Sequence, residues 1–225
     1  MRKNIAQIPF KKFWDRSFAV SCFPPTWYIY QRLGGAVAFI AYKSRLSPNI
    51  ITVLGGLIGS YAIWQFSTLP LGMVETIHLS MIFSFVYILD CTDGQLARAT
   101  GETSKSGKWF DIGVDFYLII LFPVGISIFI KNLHIGTNID WMVIGLIFGR
   151  SMVLIISSLK RSDGKDHQPS SLFLKKIIQS ILDTPVFYIW MCCARINPEW
   201  LIISTMIFGG LYIFESIYLS RTFFK

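Results

Sequence analysis

Four aspartates lie between Asp90 and Asp115, in sequence that is otherwise apolar enough for a membrane. The run is Asp90-Cys91-Thr92-Asp93-Gly94-Gln95-Leu96-Ala97-Arg98, then eight residues, then Gly107, Asp111 and Asp115 at intervals of four. A carboxylate costs about 2.5–3.5 kcal/mol to place at the centre of a membrane helix. Four so close together need compensation, and bound cations are the simplest source. On a helix, Asp90, Asp93, Gly94, Ala97 and Arg98 share one face, and Gly107, Asp111 and Asp115 share another. The polar stretch Ala99–Ser106, which contains Gly101, reverses the chain, so two antiparallel helices bring the carboxylates together. Oxygen donors select Mg²⁺, Mn²⁺ or Ca²⁺ over zinc. Gly94 and Gly107 let a bulky ligand approach the backbone, and the Arg98 fork suits phosphate. The set fits a pyrophosphate-containing substrate, with two metals clamping the oxygens of an in-line displacement.

The elements that must position these groups are membrane helices. The 225 residues are 53% hydrophobic and 15% charged, against about 25% charged in soluble domains, and mean hydropathy is +0.53. Apolar runs predict an all-α integral membrane protein with six transmembrane spans, at about 49–67, 74–98, 107–131, 138–159, 177–194 and 198–220. Residues 1–46 form a cytoplasmic or interfacial segment and 47–225 the membrane domain. Phe10, Phe13, Trp14 and Phe18 share one face of an N-terminal amphipathic helix lying in the interface. Pro24-Pro25 ends that pattern, and residues 28–44 form a helix lying on the surface. Ser47 is placed to cap the first span, Pro48 occupies its first turn, and Gly55, Gly56 and Gly59 permit close helix packing. Residues 160–176 form a basic connector.

The net charge of +8 sets orientation. Eighteen Lys and Arg fall in the N-terminal segment, the connectors after spans two and four, and the C-terminus, whereas only Lys131 and Arg195 fall on the other side. That bias places both termini and the aspartates at the cytoplasmic face. A basic, aromatic groove for nucleic acid is absent from the pattern. The charged N-terminus lacks a secretory signal, and Cys22, Cys91, Cys192 and Cys193 show no CxxC spacing.

The pattern Asp90-x-x-Asp93-Gly94-x-x-Ala97-Arg98-x(8)-Gly107-x(3)-Asp111-x(3)-Asp115 resembles the complete signature of the CDP-alcohol phosphotransferase (phosphatidyltransferase) family. Pro48-Asn49-x-x-Thr52 is similar to a recurrent family feature near the nucleotide site. The resemblance implies that Asp90, Asp93, Asp111 and Asp115 ligate the metals and that Asp115 is the general base on the acceptor hydroxyl. It implies space for the cytidine nucleotide at Gly94, Ala97 and Gly107, a phosphate contact at Arg98, and donor-site roles for Asn49 and Thr52. The implied reaction is attack of an acceptor hydroxyl on the β-phosphorus of a CDP-linked alcohol, such as CDP-diacylglycerol, with release of CMP in phospholipid biosynthesis. The implied assembly is a homodimer.

The acceptor is less legible. Phe116-Tyr117-Leu118-Ile119 departs from the stretch expected of a phosphatidylserine synthase, and Asp111-Ile112-Gly113-Val114-Asp115 departs from phosphatidylglycerophosphate synthases. Arg150 sits roughly 13 Å inside span four at 1.5 Å per residue and needs an anionic partner. Its functional reading is a phosphate on the acceptor, joined by Lys160 or Arg161; its structural reading is a pair with the aspartates or a snorkelling side chain. A cation transporter or channel is the competing function, but inverted repeats are not evident in the sequence.

Overall fold

A computed structural model describes residues 8–18, 26–135, 139–162 and 180–223. Among them the chain is helical: α1 (Phe10–Ser17), a π-helical turn (Thr26–Tyr30) running into α2 (Gln31–Lys43), α3 (Pro48–Thr68), α4 (Met73–Thr100), α5 (Lys105–Asn132), α6 (Asp140–Ser162), α7 (Thr184–Ala194) and α8 (Pro198–Phe223). Pro24-Pro25 and most of the expected basic connector after Lys160 fall outside the described residues.

Five helices, α3, α4, α5, α6 and α8, are long and apolar enough to cross a membrane. The predicted span at 177–194 is met by α7, which has 11 residues, about 16 Å at 1.5 Å per residue. A bend at Leu182–Asp183 and Pro185 in its first turn set where α7 begins. The described part of that segment is therefore too short to span by itself.

Small residues set how closely the long helices approach. A Cβ at Gly56 would lie 3.0 Å from Val114 Cγ1, and one at Gly59 would lie 2.9 Å from Leu118 Cδ2, so the glycine face of α3 seats α5. Gly149 does the same for α6 against α8, where a Cβ would meet the Ile213 backbone nitrogen at 2.9 Å. The core between them is aromatic: Phe83 stacks on Tyr188 at 4.8 Å, and Phe122 packs edge-on against both, at 5.3 and 4.8 Å.

Three readings of the sequence change. First, Ser47 makes no side-chain cap; its carbonyl accepts the Ile50 N–H at 3.1 Å, while Pro48 takes the first-turn position as expected. Second, α1 is more than an anchor lying on lipid. Phe13 is fully buried against Phe39 and Tyr42, 5.4 Å from each ring, and shares a core with Leu96 and Ala99 of α4. Third, α2 does more than lie at the surface: one face packs against α4, with Gly34 against Cys91 and Gln95 Nε2 donating to the Gln31 carbonyl at 2.8 Å.

Arg195 and Lys131, both read as charges of the far loops, have different weights. Lys131 pairs with Asp140 at 2.9 Å, but both are exposed, so the pair contributes at most about 1 kcal/mol. Arg195 is fully buried and closes the C-terminus of α3, donating to the carbonyls of Phe66 (2.9 Å), Pro70 (3.1 Å) and Leu69. Its guanidinium lies 4.2 Å from the Phe129 ring centroid. It satisfies carbonyls that a helix end leaves unpaired.

Candidate active site

The site is built on the α4–α5 hairpin. Gly101 ends α4 with φ 73°, a left-handed conformation that favours glycine, and Glu102 N–H donates back to the Ala97 carbonyl at 3.0 Å. Ser104 then opens α5, its hydroxyl accepting the Gly107 N–H at 2.9 Å. The reversal sets Asp90 on α4 opposite Asp111 and Asp115 on α5. Each offers one carboxylate oxygen, and the three oxygens lie within 4.8 Å of one another. At that separation and an effective dielectric of about 20, each like-charged pair repels by about 3.5 kcal/mol. Three such repulsions are relieved only by protonation of the cluster or by a bound cation. Among the described residues lining the cavity around it, His and Cys are absent. Carboxylate oxygens therefore make the donor set, and a hard divalent cation fits it.

Asp93 stands apart from this trio. It is 4% exposed, its charged neighbours are Asp111 and Asp90, and its Oδ2 accepts the Thr52 hydroxyl at 2.5 Å. Arg98 is also partly committed: its Nε donates to the Ser17 carbonyl at 2.8 Å, tying α1 to α4. A Cβ at Gly94 would lie 3.1 Å from Arg98 Nη1, and one at Gly107 would lie 2.9 Å from Ser104 Oγ and 3.5 Å from Asn49 Oδ1. Both glycines thus already accommodate side chains of this same chain. Ala97 is half-buried one turn from the hairpin.

A cavity of about 260 Å³ opens beside the carboxylates, lined by Thr52, Asp90, Asp93, Asp111 and Asp115. Arg150, Asp183, Tyr188, Tyr212 and Glu215 line it as well. Arg150 is 5% exposed and sits in an aromatic cage, its guanidinium carbon 4.3 Å from the Phe187 ring, 5.1 Å from Tyr188 and 5.5 Å from Tyr212. Its Nη1 is buried with no hydrogen-bond partner. Lys160 is buried but does not line the cavity, and the Arg161 side chain lies outside the described residues. Of the two candidates whose side chains are described, Arg150 reaches the site and Lys160 does not line it.

The sequence reading missed Asp183, Glu215 and the tyrosines. Asp183 Oδ2 accepts the Thr26 hydroxyl at 2.6 Å, and Thr26 lies 3.0 Å from the Tyr87 hydroxyl, joining the π-helical turn to α4 and α7. Glu215 had a visible signal, a carboxylate inside an apolar span. Asp183, directly ahead of Thr184-Pro185, carries no local signal of its own.

Comparison with known proteins gives the arrangement its lineage. The chain is 24% identical over 164 residues, 72% of its length, to a bifunctional IPC transferase and DIPP synthase of Archaeoglobus fulgidus, covering 31% of that protein. It is 33% identical over 85 residues, 38% of its length, to an archaetidylinositol phosphate synthase of Pyrococcus horikoshii, covering 40% of it. An IPC transferase and DIPP synthase of Aquifex aeolicus is 30% identical over 112 residues, 48% of this chain and 23% of that protein. The chain thus spans between about a quarter and two fifths of these relatives' lengths. The CDP-alcohol phosphatidyltransferase family model matches residues 45–213, a stretch that holds all four aspartates, the hairpin that gathers them and the Arg150 cage. With three quarters of its residues matched by that model, this chain belongs to the CDP-alcohol phosphatidyltransferase family.

Proposed function

We propose that this chain is a membrane-embedded, divalent-metal-dependent phosphotransferase. It moves a substituted phosphoryl group from a CDP-linked alcohol, such as CDP-diacylglycerol, to an acceptor hydroxyl, forming a phosphodiester and releasing CMP in phospholipid biosynthesis. The observation that carries this reading is the convergence of Asp90, Asp111 and Asp115 within 4.8 Å across the α4–α5 hairpin, in a chain of this family. An ion-conducting role has no such support.

Asp90, Asp93, Asp111 and Asp115 would hold two Mg²⁺ or Mn²⁺ ions, which when bound supply positive charge to the attacking and leaving oxygens. Asp115 accepts the proton of the acceptor hydroxyl. The freed oxygen attacks the β-phosphorus, the bond from that phosphorus to the bridging oxygen breaks, and CMP departs with the electron pair. Gly94, Ala97, Gly107 and Asn49 border the donor nucleotide. Arg98, tied at its Nε to the Ser17 carbonyl, contacts the donor phosphates with its guanidinium fork. Arg150 faces the acceptor, whose oxygen meets the unpaired Nη1. The name of the Pyrococcus horikoshii relative speaks of an inositol phosphate, and a phosphorylated polyol suits a single buried guanidinium. The charge bias supports cytoplasmic termini and a cavity open to the cytoplasm. The family resemblance supports a homodimer.

The test crosses CDP-diacylglycerol and small CDP-alcohols with polyols, polyol phosphates and amino alcohols, measuring CMP release with Mg²⁺ or Mn²⁺. Turnover of at least one pair is expected, with Arg150→Met selectively impairing the acceptor. If the purified protein releases no CMP from any combination, the enzymatic reading is wrong.

A further inference from the structure

The short contact between α3 and Asp93 gives Thr52 a role different from the donor contact that the Pro48-Asn49-x-x-Thr52 pattern implies. Thr52, Gly55, Gly56 and Gly59 recur at helical spacing and occupy one face of α3. The glycines of that face set α3 against its neighbours: a Cβ on Gly55 would lie 3.7 Å from Leu89 Cβ on α4, and one on Gly56 would lie 3.0 Å from Val114 on α5. Thr52, one turn nearer the N-terminus, is carried into the same seam and is 7% exposed. Its hydroxyl has one proton and two acceptors within reach, the Pro48 carbonyl at 3.2 Å and Asp93 Oδ2 at 2.5 Å. The carboxyl oxygen is the nearer of the two, so it accepts the hydrogen bond. A helical threonine divides between two χ1 rotamers, and the one seen here places the hydroxyl between the Pro48 carbonyl and Asp93.

We propose that Thr52 is a positioning residue for the metal site: it orients the Asp93 carboxylate so that this residue can complete the ligand set begun by Asp90, Asp111 and Asp115. Those three already converge without help from α3. Asp93 lies on the same face of α4 as Asp90 but is the buried member, and Thr52 fixes which way its carboxylate plane faces. Groups that hydrogen-bond a metal ligand from behind commonly contribute about 10–100-fold to metal affinity. Thr52 thereby couples the packing of α3 to the occupancy of the site, and the glycine face of α3 is what allows it to reach. The inference rests on the aspartates binding a divalent cation, but not on which reaction follows.

The test is direct Mn²⁺ binding to the full-length, substrate-free protein in detergent, by calorimetry or by the electron spin resonance signal of unbound Mn²⁺. Thr52→Val keeps the shape and removes the donor, and Thr52→Ser keeps the donor. Val is expected to weaken Mn²⁺ binding about tenfold or more and Ser less than about threefold, with donor KM at saturating metal unchanged in both. If Val fails to fold, as read by its melting temperature in EDTA, Thr52→Cys takes its place with a weaker donor and a smaller loss. Unchanged Mn²⁺ affinity in Val with a raised donor KM would return Thr52 to the donor site and overturn the proposal. Equal loss in Val and Ser would make it a packing residue, and wild-type protein that binds no Mn²⁺ would also overturn it. If Val loses Mn²⁺ affinity while no CDP-alcohol is turned over by the wild type, the positioning role stands and the proposed reaction falls.

Discussion

Replacing Arg150 with Met removes a guanidinium while keeping a long apolar side chain among Phe187, Tyr188 and Tyr212. In the structure that guanidinium is 5% exposed and caged by three rings at 4.3–5.5 Å, yet Nη1 has no partner. The cage holds it in place, since a desolvated cation–π contact is worth about 2 kcal/mol. The unpaired nitrogen is what remains for substrate. A hydrogen bond to a charged group contributes about 1.5–3 kcal/mol, or about 10–150-fold in affinity. Initial rates of CMP release, with donor saturating and acceptor varied and then the reverse, should show kcat/KM for the acceptor falling by about that factor. Donor KM should change little. Arg150→Lys restores charge without the planar fork and should recover only part of the loss. Equal losses for donor and acceptor, or none for the acceptor, would show that the guanidinium serves packing or the aspartates instead.

Two further predictions concern the scaffold. Arg195→Met strips three donors from the C-terminal carbonyls of α3 and should cost about 2–5 kcal/mol, since a charged donor's hydrogen bond contributes about 1.5–3 kcal/mol and a buried carbonyl left unpaired costs about 1–3 kcal/mol; its melting temperature should drop well below that of Lys131→Met, and similar temperatures for the two would refute the capping role. Gly149→Ala pushes a methyl against the Ile213 backbone and should destabilise by about 1–3 kcal/mol, whereas Gly210→Ala, inside α8 with nothing within 4 Å of its Cβ, should stabilise by about 0.5–1 kcal/mol in the same thermal-shift measurement.

The aspartates were legible because charge in an apolar helix is expensive and because helical spacing says which charges share a face. The same reasoning applied to Glu215 would have found it, but outside a recognisable spacing it passed for an isolated residue. What Thr52, Arg98 and Arg195 do was hidden for a different reason. Each makes its decisive bond to a residue 41, 81 or about 125 positions away, and such contacts leave no local pattern. Arg195 therefore read as a loop charge, and Arg98 as a phosphate contact alone. The span at 177–194 was apolar enough to suggest a full crossing, yet Pro185 and the Asp183 bend restrict its described helix to 11 residues. Composition predicted an apolar segment there but not where its helix begins. Phe13 shows the same limit on a small scale: its periodicity announced an amphipathic helix, while its burial against Phe39 and Tyr42 depended on where α2 lay.

The measurement closest to the central claim is metal-dependent CMP release from cytidine-labelled CDP-diacylglycerol by the purified protein, alongside Asp115→Asn. Release should require Mg²⁺ or Mn²⁺, stop with EDTA and return on adding metal. It should be lost in Asp115→Asn while that variant keeps its fold. CMP release that persists in EDTA, or in Asp115→Asn at the wild-type rate, would contradict a reaction built on the converging carboxylates of α4 and α5.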